Sequence, residues 1–350
     1  MNSRTKVALG AVGGIVVIAV GTFFLLGGRG SDIPLVNKLP IADPATCPLS
    51  GLEPKSEELI DRPAVAVKIE NAAIAYPLSG LEDAEVVYEE LVEGGVTRFM
   101  AVYHCTDSAK AGPVRSARVV DPAILGPLTR ILAYSGQNAP VLRALEEAEV
   151  VRLDETEAGD GLERIPRDGI SMEHTLYAKT KELRKLGAKQ YDEPPPEMFA
   201  FGDLPDGKTK PAAAVNVNFN PVNTIRYEWS DDGWLRFEAD QPFVSETGDQ
   251  ITVENVLIEE HQVVLSETIV DVAGNPSLEI ADEIGTGRAF LFRDGKVIKG
   301  TWSRDDVGDP TTFETKAGDE MVFAPGSIWI ELLPSEEGDQ VKGSFSVERK

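Results

Sequence analysis

Histidine and cysteine are scarce in this 350-residue chain, which has three of the first and two of the second. Histidines so few and so far apart leave a zinc site dependent on convergence from distant elements, and no metal is expected. H-E-x-x-H, G-x-S-x-G, the Walker loop and the Rossmann glycine fingerprint are all absent, so no standard catalytic signature is present and no cofactor is expected. Basic residues are also in deficit, with 34 Lys plus Arg against 58 Asp plus Glu. Arg4, Lys6 and Arg29 lie in or beside an apolar segment, and the rest of the chain carries 31 − 58, or −27. So acidic a body is repelled by nucleic acid, and no nucleic-acid partner is expected; anionic membrane or wall polymers meet the same repulsion except at locally basic patches. The simplest role of the acid is to keep an exported protein soluble.

Charge is missing altogether from residues 7 to 26, VALGAVGGIVVIAVGTFFLL. About 20 apolar residues span a bilayer, and the preceding Arg4 and Lys6 favour a cytoplasmic leader. The expectation is a cytoplasmic leader over 1–6 and a transmembrane signal-anchor helix over 7–27. That makes a single-pass protein of the cell membrane whose C-terminal bulk is extracytoplasmic. A cleaved signal peptide is the alternative, but its apolar core is only about 7 to 15 residues and ends at a small-residue site, and no convincing A-x-A exit follows. A lipoprotein signal needs a cysteine directly after the apolar core, whereas the cysteines are Cys47 and Cys105. Outside the cytoplasm those two can form a disulfide. The alternatives are two buried thiols or a nucleophilic Cys105 helped by His104, although adjacent strand residues point to opposite faces.

Residues 28–60 show little periodicity and read as an extracytoplasmic tether. An α/β layer domain is expected over 61–190. Its strands are 64–70, 84–91, 97–105 and 130–136, with helices from Asp121, over 139–149 and over 176–187. The Pro-rich stretch 191–210 reads as a linker. Over 211–340 the signals are nearly all β, and Asp232-Gly233 and Asp294-Gly295 each sit between two alternating runs as hairpin turns. A sandwich or partly open barrel fits that half. The fold class expected is therefore α+β: a membrane helix, an α/β layer domain and a β-rich sandwich or barrel-like domain.

The candidate site lies in the first half. EVVYEELVEGGVTRFMAVYHC and GPVRSAR set Glu89, Glu90, Glu93, Arg98, Arg115 and Arg118 among strand-like runs, where charges need partners. Ser116 is a candidate cap for a helix starting near Ala117, and a helix start beside Arg115 and Arg118 suits a carboxylate or phosphate. The competing account is that both arginines merely neutralise Glu89, Glu90 or Glu93. Gly94 and Gly95 suggest a tight turn that brings Glu93 near Arg98. His174 precedes an apolar helix with Thr175 as its candidate N-cap, and Asn71 ends the first strand, where ligands of open α/β sheets gather. Trp229, Trp234, Trp302 and Trp329 sit inside β runs, which favours core packing over carbohydrate stacking.

NAAIAYPLSGLEDAEVVYEELVEGGVTRFMAVYHC, GPVRSAR and HTLYA, followed by GTGRAFLFRDGKVIKGTWSR and GSIWIELLP, together resemble the YerB family, whose members are named as bacterial lipoproteins. The resemblance runs from about Cys47 to Pro334. It implies an N-terminal α/β domain and a C-terminal β domain on the outer surface of Gram-positive cells. Two departures stand out: the lipid-modified cysteine is missing, and Thr175 replaces the Asn of the family's His-Asn-Leu-Tyr. The function expected is a non-catalytic binding module for an anionic wall-related ligand or an envelope protein partner, using Asn71, Arg98, Arg115, Arg118 and His174. The alternative is a hydrolase or transferase of wall glycan or peptide, with His174 and Glu89 or Glu93 moving protons. Sequence leaves open whether any reaction is catalysed.

Overall fold

The computed structural model describes residues 45–204, 209–271, 274–338 and 340–349. The expected membrane helix at 7–27 lies outside them. Among the described residues no helix is long and apolar enough to cross a membrane.

The strands VAVKIE (Val65–Glu70) and TRFMAVY (Thr97–Tyr103) are buried on both faces, as their unbroken apolar runs require. Val86–Leu91 pairs antiparallel with Thr97–Tyr103 through a turn at Gly94 and Gly95. Both glycines have φ of 76°, a region costly for any residue with a Cβ. The largest sheet continues on both sides of this hairpin. Its order is Thr312–Thr315, Lys296–Arg304, Gly285–Arg293, Asn255–His261, Ile328–Pro334, Val86–Leu91, Thr97–Tyr103, Val65–Glu70, Ile131–Ala133 and Val151–Leu153. Ile328–Pro334 is parallel to both Asn255–His261 and Val86–Leu91 and so joins the two halves of the chain in one mixed sheet.

Strand alternation divides the core in two. Val65, Val67, Ile69, Phe99 and Ala101 pack under a second sheet that contributes Val215, Tyr227 and Trp234. Ala66, Met100, Val102 and Leu132 face the other way and pack with Ile124, Leu125, Val141 and Leu145 of the helices. Trp234, Trp302 and Trp329 are fully buried, the packing role expected of them. At about 25 cal/mol per Å² each contributes on the order of 5 kcal/mol as an upper estimate. Asp294-Gly295 turns a two-residue hairpin with φ of 50° and 64°, and Arg293 pairs with Lys296.

The expected fold class is corrected by this arrangement. The described chain is β-rich with mixed sheets and only three α-helices, Asp121–Leu125, Ala139–Glu147 and Thr180–Gly187, of five, nine and eight residues. Such short helices cannot layer both faces of the sheet, and a second sheet covers one face instead. The helix expected over 176–187 is also shorter. Leu176–Ala178 is a buried strand paired with Leu162–Arg164, because three consecutive apolar side chains there are buried together.

A Cys47–Cys105 disulfide closes a loop of 58 residues and staples the leading segment to the end of the Thr97–Tyr103 strand. Loop-closure entropy puts its contribution on the order of 4 kcal/mol.

Candidate functional site

Glu70, Arg98 and Glu90 stand opposite one another across three neighbouring strands, in the register Glu70↔Arg98 and Glu90↔Arg98. All three point to the helix-covered face, as does Lys68 two residues earlier. Each carboxylate nearby has a closer partner than Arg98. Lys68 Nζ pairs with Glu90 and, at 2.6 Å, with Asp121. His174 Nδ1 lies 2.8 Å from Glu70. Arg118 Nε donates to Glu93 at 2.5 Å, and Ser277 Oγ donates to the other oxygen of Glu93 at 2.6 Å.

Arg98 is left over. It is 9% exposed, and among the described residues no carboxylate comes within 4.0 Å of its guanidinium. Its Nη1 donates to the Ser116 carbonyl at 3.2 Å, and Arg118 Nη1 reaches the same carbonyl at 3.3 Å. Burial, reinforced by the like charges of Arg118 and Arg115, pushes the Arg98 guanidinium down to about 10. Arg115 is held loosely, 3.9 Å from Glu70 and 4.0 Å from Glu173, and its side chain is 25% exposed. Burial raises Glu70 against the opposing pull of His174 and Arg115, and raises Glu90 to about 7 against Lys68.

The opposite face holds a second network, built around Arg236. Arg236, wholly buried, reaches from the second sheet to Glu89 at 2.8 Å, Glu238 at 2.9 Å and Glu331 at 3.3 Å. Tyr227 Oη donates to Glu331 at 2.5 Å. The rings of Phe99, Phe243 and Trp329 surround the guanidinium, with centroids 4.8 to 5.4 Å from it. One cation faces three carboxyls, and burial outweighs it: Glu89 is pushed up to about 8, Glu238 to about 7, and Glu331 is also raised.

The structure thus separates residues that sequence had joined. Asn71 follows Glu70 and points to the opposite face, where its Nδ2 donates to Thr97 Oγ1 at 2.8 Å and it accepts from Tyr76 Oη at 2.5 Å. Arg98, Arg115, Arg118 and His174 stay together, while Glu89 belongs to the Arg236 network. Glu93 pairs with Arg118 rather than Arg98. Ser116 caps no helix, since the first helix begins at Asp121 and is too short to present an N-terminal site. His174 closes a single 3₁₀ turn, Met172–His174, ahead of a strand, and the Thr175 hydroxyl donates back to the Met172 carbonyl instead of capping an α-helix. Cys47, Glu85 and Cys105 offer ligand atoms within 4.8 Å of one another, but both sulfurs are spent in the disulfide. Sequence reading missed Lys68, Glu70, Asp121, Arg236, Glu238 and Glu331. Lys68, Arg236 and Glu331 carried a usable signal, a single charge inside the apolar runs AVAVKI, GWLRF and SIWIELLP.

Both halves of the chain match one two-domain family. Residues 49–193 match the N-terminal domain, and residues 214–330 the C-terminal domain, of the family described as "Protein of unknown function (DUF3048)". The chain belongs to that family. It is 27% identical over 295 residues to the Bacillus subtilis (strain 168) protein named "Putative lipoprotein YerB", a match covering 82% of this chain and 86% of that one. A crystal structure of the YerB protein from Bacillus subtilis is similar with a TM-score of 0.70 at 25% identity, over 86% of this chain and 99% of the other. The likeness spans both halves of the chain and supports the β-rich arrangement in place of an α/β layer domain.

Proposed function

We infer that this is a membrane-associated, extracytoplasmic protein of the cell envelope that binds an anionic wall-derived ligand at Arg98, Arg115, Arg118 and His174 without transforming it. The relative's lipoprotein name and the disulfide support the location. One observation carries the site. Arg98 is a buried guanidinium that no carboxylate contacts directly: Glu70, Glu90 and Glu93 attract it from a distance but lie closer to His174, Lys68 and Arg118, which leaves its donors open to an anionic ligand. Arg115 and Arg118 flank it with planar donors suited to carboxylate or phosphate. Asn71, the remaining residue of the expected cleft, lies on the other face and is left out of this site.

The alternative of wall hydrolysis or transfer requires a proton-moving pair. Glu89 is enclosed by Arg236 and Thr97, Glu93 by Arg118 and Ser277, and neither accompanies His174, whose carboxyl partner is Glu70. The test is calorimetric titration of the full chain in amphipol with muropeptides and with phosphate-bearing wall fragments. One of them is expected to bind, with Arg98→Met and Arg115→Ala each weakening it at least tenfold and with no product by mass spectrometry. Absence of binding, or binding indifferent to both variants, sinks the reading. Product formation lost in His174→Ala would replace it with the catalytic one.

A further inference from the structure

The face carrying Asn71 opens into a groove of about 790 Å³, inside the range of about 300–1,000 Å³ typical of small-molecule sites. Its rim is unusually apolar. Nine large hydrophobic side chains are exposed among the described residues, and four of them, Ile74, Val96, Val222 and Val244, line this one groove. Val222 alone is 79% exposed. Scattered exposed hydrophobics are ordinary, but a cluster around a concavity marks an interaction site. Tyr76 and Phe243 line it further, with their rings edge to face at 5.4 Å.

The polar groups of the groove have one character. Asn71, Asn223 and Gln241 are neutral, Glu238 carries the only carboxyl, and no Lys, Arg or His is among the lining residues. Glu238 leans on Arg236 at 2.9 Å, but that guanidinium also serves Glu89 and Glu331. Arg236 itself is not among the lining residues, so the one acidic side chain the groove presents is Glu238, set among apolar surface. Burial raises Glu238 to about 7 against the pull of Arg236, and a ligand ammonium would favour its ionised form.

We propose that this groove binds a small amphiphile, an apolar body with a protonated amine, the body lying against Ile74, Val222 and Phe243 and the ammonium on Glu238. The site is separate from the arginine cluster and of opposite charge preference, so its failure leaves the anionic-ligand reading untouched.

A matched set of probes tests this: 4-phenylbutylamine, 4-phenylbutanol and 4-phenylbutyrate, which share an apolar body and differ in head-group charge. Their affinities for the full chain in amphipol are measured by calorimetry at pH 8, where Glu238 is mostly ionised and the amine protonated. The amine is expected to bind at least tenfold more tightly than the alcohol, with the carboxylate weakest. Glu238→Gln should bring the amine and the alcohol within about twofold of each other, and Val222→Ser, on the exposed rim, should weaken both by severalfold. Circular dichroism confirms that each variant is folded, and Val222→Ser keeps the test valid if Glu238→Gln is not. Equal affinities for the three probes overturn the proposal, as does an amine preference that survives Glu238→Gln. Probes that bind only after dilution dissolves a self-associated species, detected by sedimentation velocity, would assign the groove to a second copy of the chain and overturn it too.

Discussion

Arg98 and Arg236 are both buried guanidiniums of the same central sheet region, on opposite faces, and their surroundings could hardly differ more. Arg236 is wholly enclosed, with three carboxyl partners within 3.3 Å and aromatic rings around it. Arg98 keeps 9% of its surface exposed and is met by one backbone carbonyl. A charge whose partners come from both halves of the chain is part of what joins them. A charge that no carboxylate contacts directly is less fully compensated, because one backbone carbonyl and the more distant Glu90 and Glu93 offset only part of its burial cost. The difference makes Arg236 architectural and is the ground on which a ligand is proposed for Arg98.

The architectural half of that comparison is broken most sharply by removing Arg236. Arg236→Met leaves Glu89, Glu238 and Glu331 crowded without a counter-ion, and a loss of about 3–5 kcal/mol is expected in urea unfolding. The pair Val86–Leu91 and Ile328–Pro334 should loosen first, since Glu89 and Glu331 face each other in its register. A variant as stable as the parent would show that the three carboxyls are neutral and need no cation.

Smaller, but with a definite sign, is the dependence on pH. Glu89 sits at about 8 in the folded chain and near its ordinary value of 4.5 when unfolded. Between those values the folded state holds the proton that the unfolded state has released, so this group's contribution to stability is full below about 4.5 and is lost as pH rises through 8. Glu238, at about 7, acts in the same sense. Stability is expected to fall from pH 6 to pH 9, each such group adding at most about 1.4 kcal/mol per pH unit. Glu89→Gln should flatten the slope. An unchanged slope in that variant would place the titration elsewhere.

What was legible in the sequence follows from what is local. The strands around Val65–Glu70, Val86–Leu91 and Thr97–Tyr103, the turn at Gly94-Gly95 and the hairpin at Asp294-Gly295 depend on neighbouring residues, and alternation or turn chemistry reveals them. The insertion of Ile328–Pro334 beside Val86–Leu91 depends on pairing across some 240 positions, which no periodicity encodes. The site divides in the same way. The nearness of Arg98, Arg115 and Arg118 was visible in EGGVTRF and GPVRSAR, but strand parity at Glu70 and Asn71 split the cleft. Arg236, which claims Glu89, came from a strand in the other half.

The finest test of the comparison is the response of Arg98 to the same substitution made at Arg236. If Arg98 were a structural ion-pair member, Arg98→Met would cost several kcal/mol, as a broken buried pair does. Glu90, Glu93 and Glu70 have closer partners in Lys68, Arg118 and His174, so methionine removes a charge that no carboxylate contacts directly and fills most of the same volume. Stability is then expected to hold or to rise by about 1 kcal/mol, the sign found when a residue kept for binding is replaced by one chosen for packing. A loss larger than about 2 kcal/mol would return Arg98 to the architecture and erase the distinction between the two faces. A gain alongside lost ligand binding would separate the two roles in one variant, because Arg236→Met cannot weaken binding without first loosening the fold.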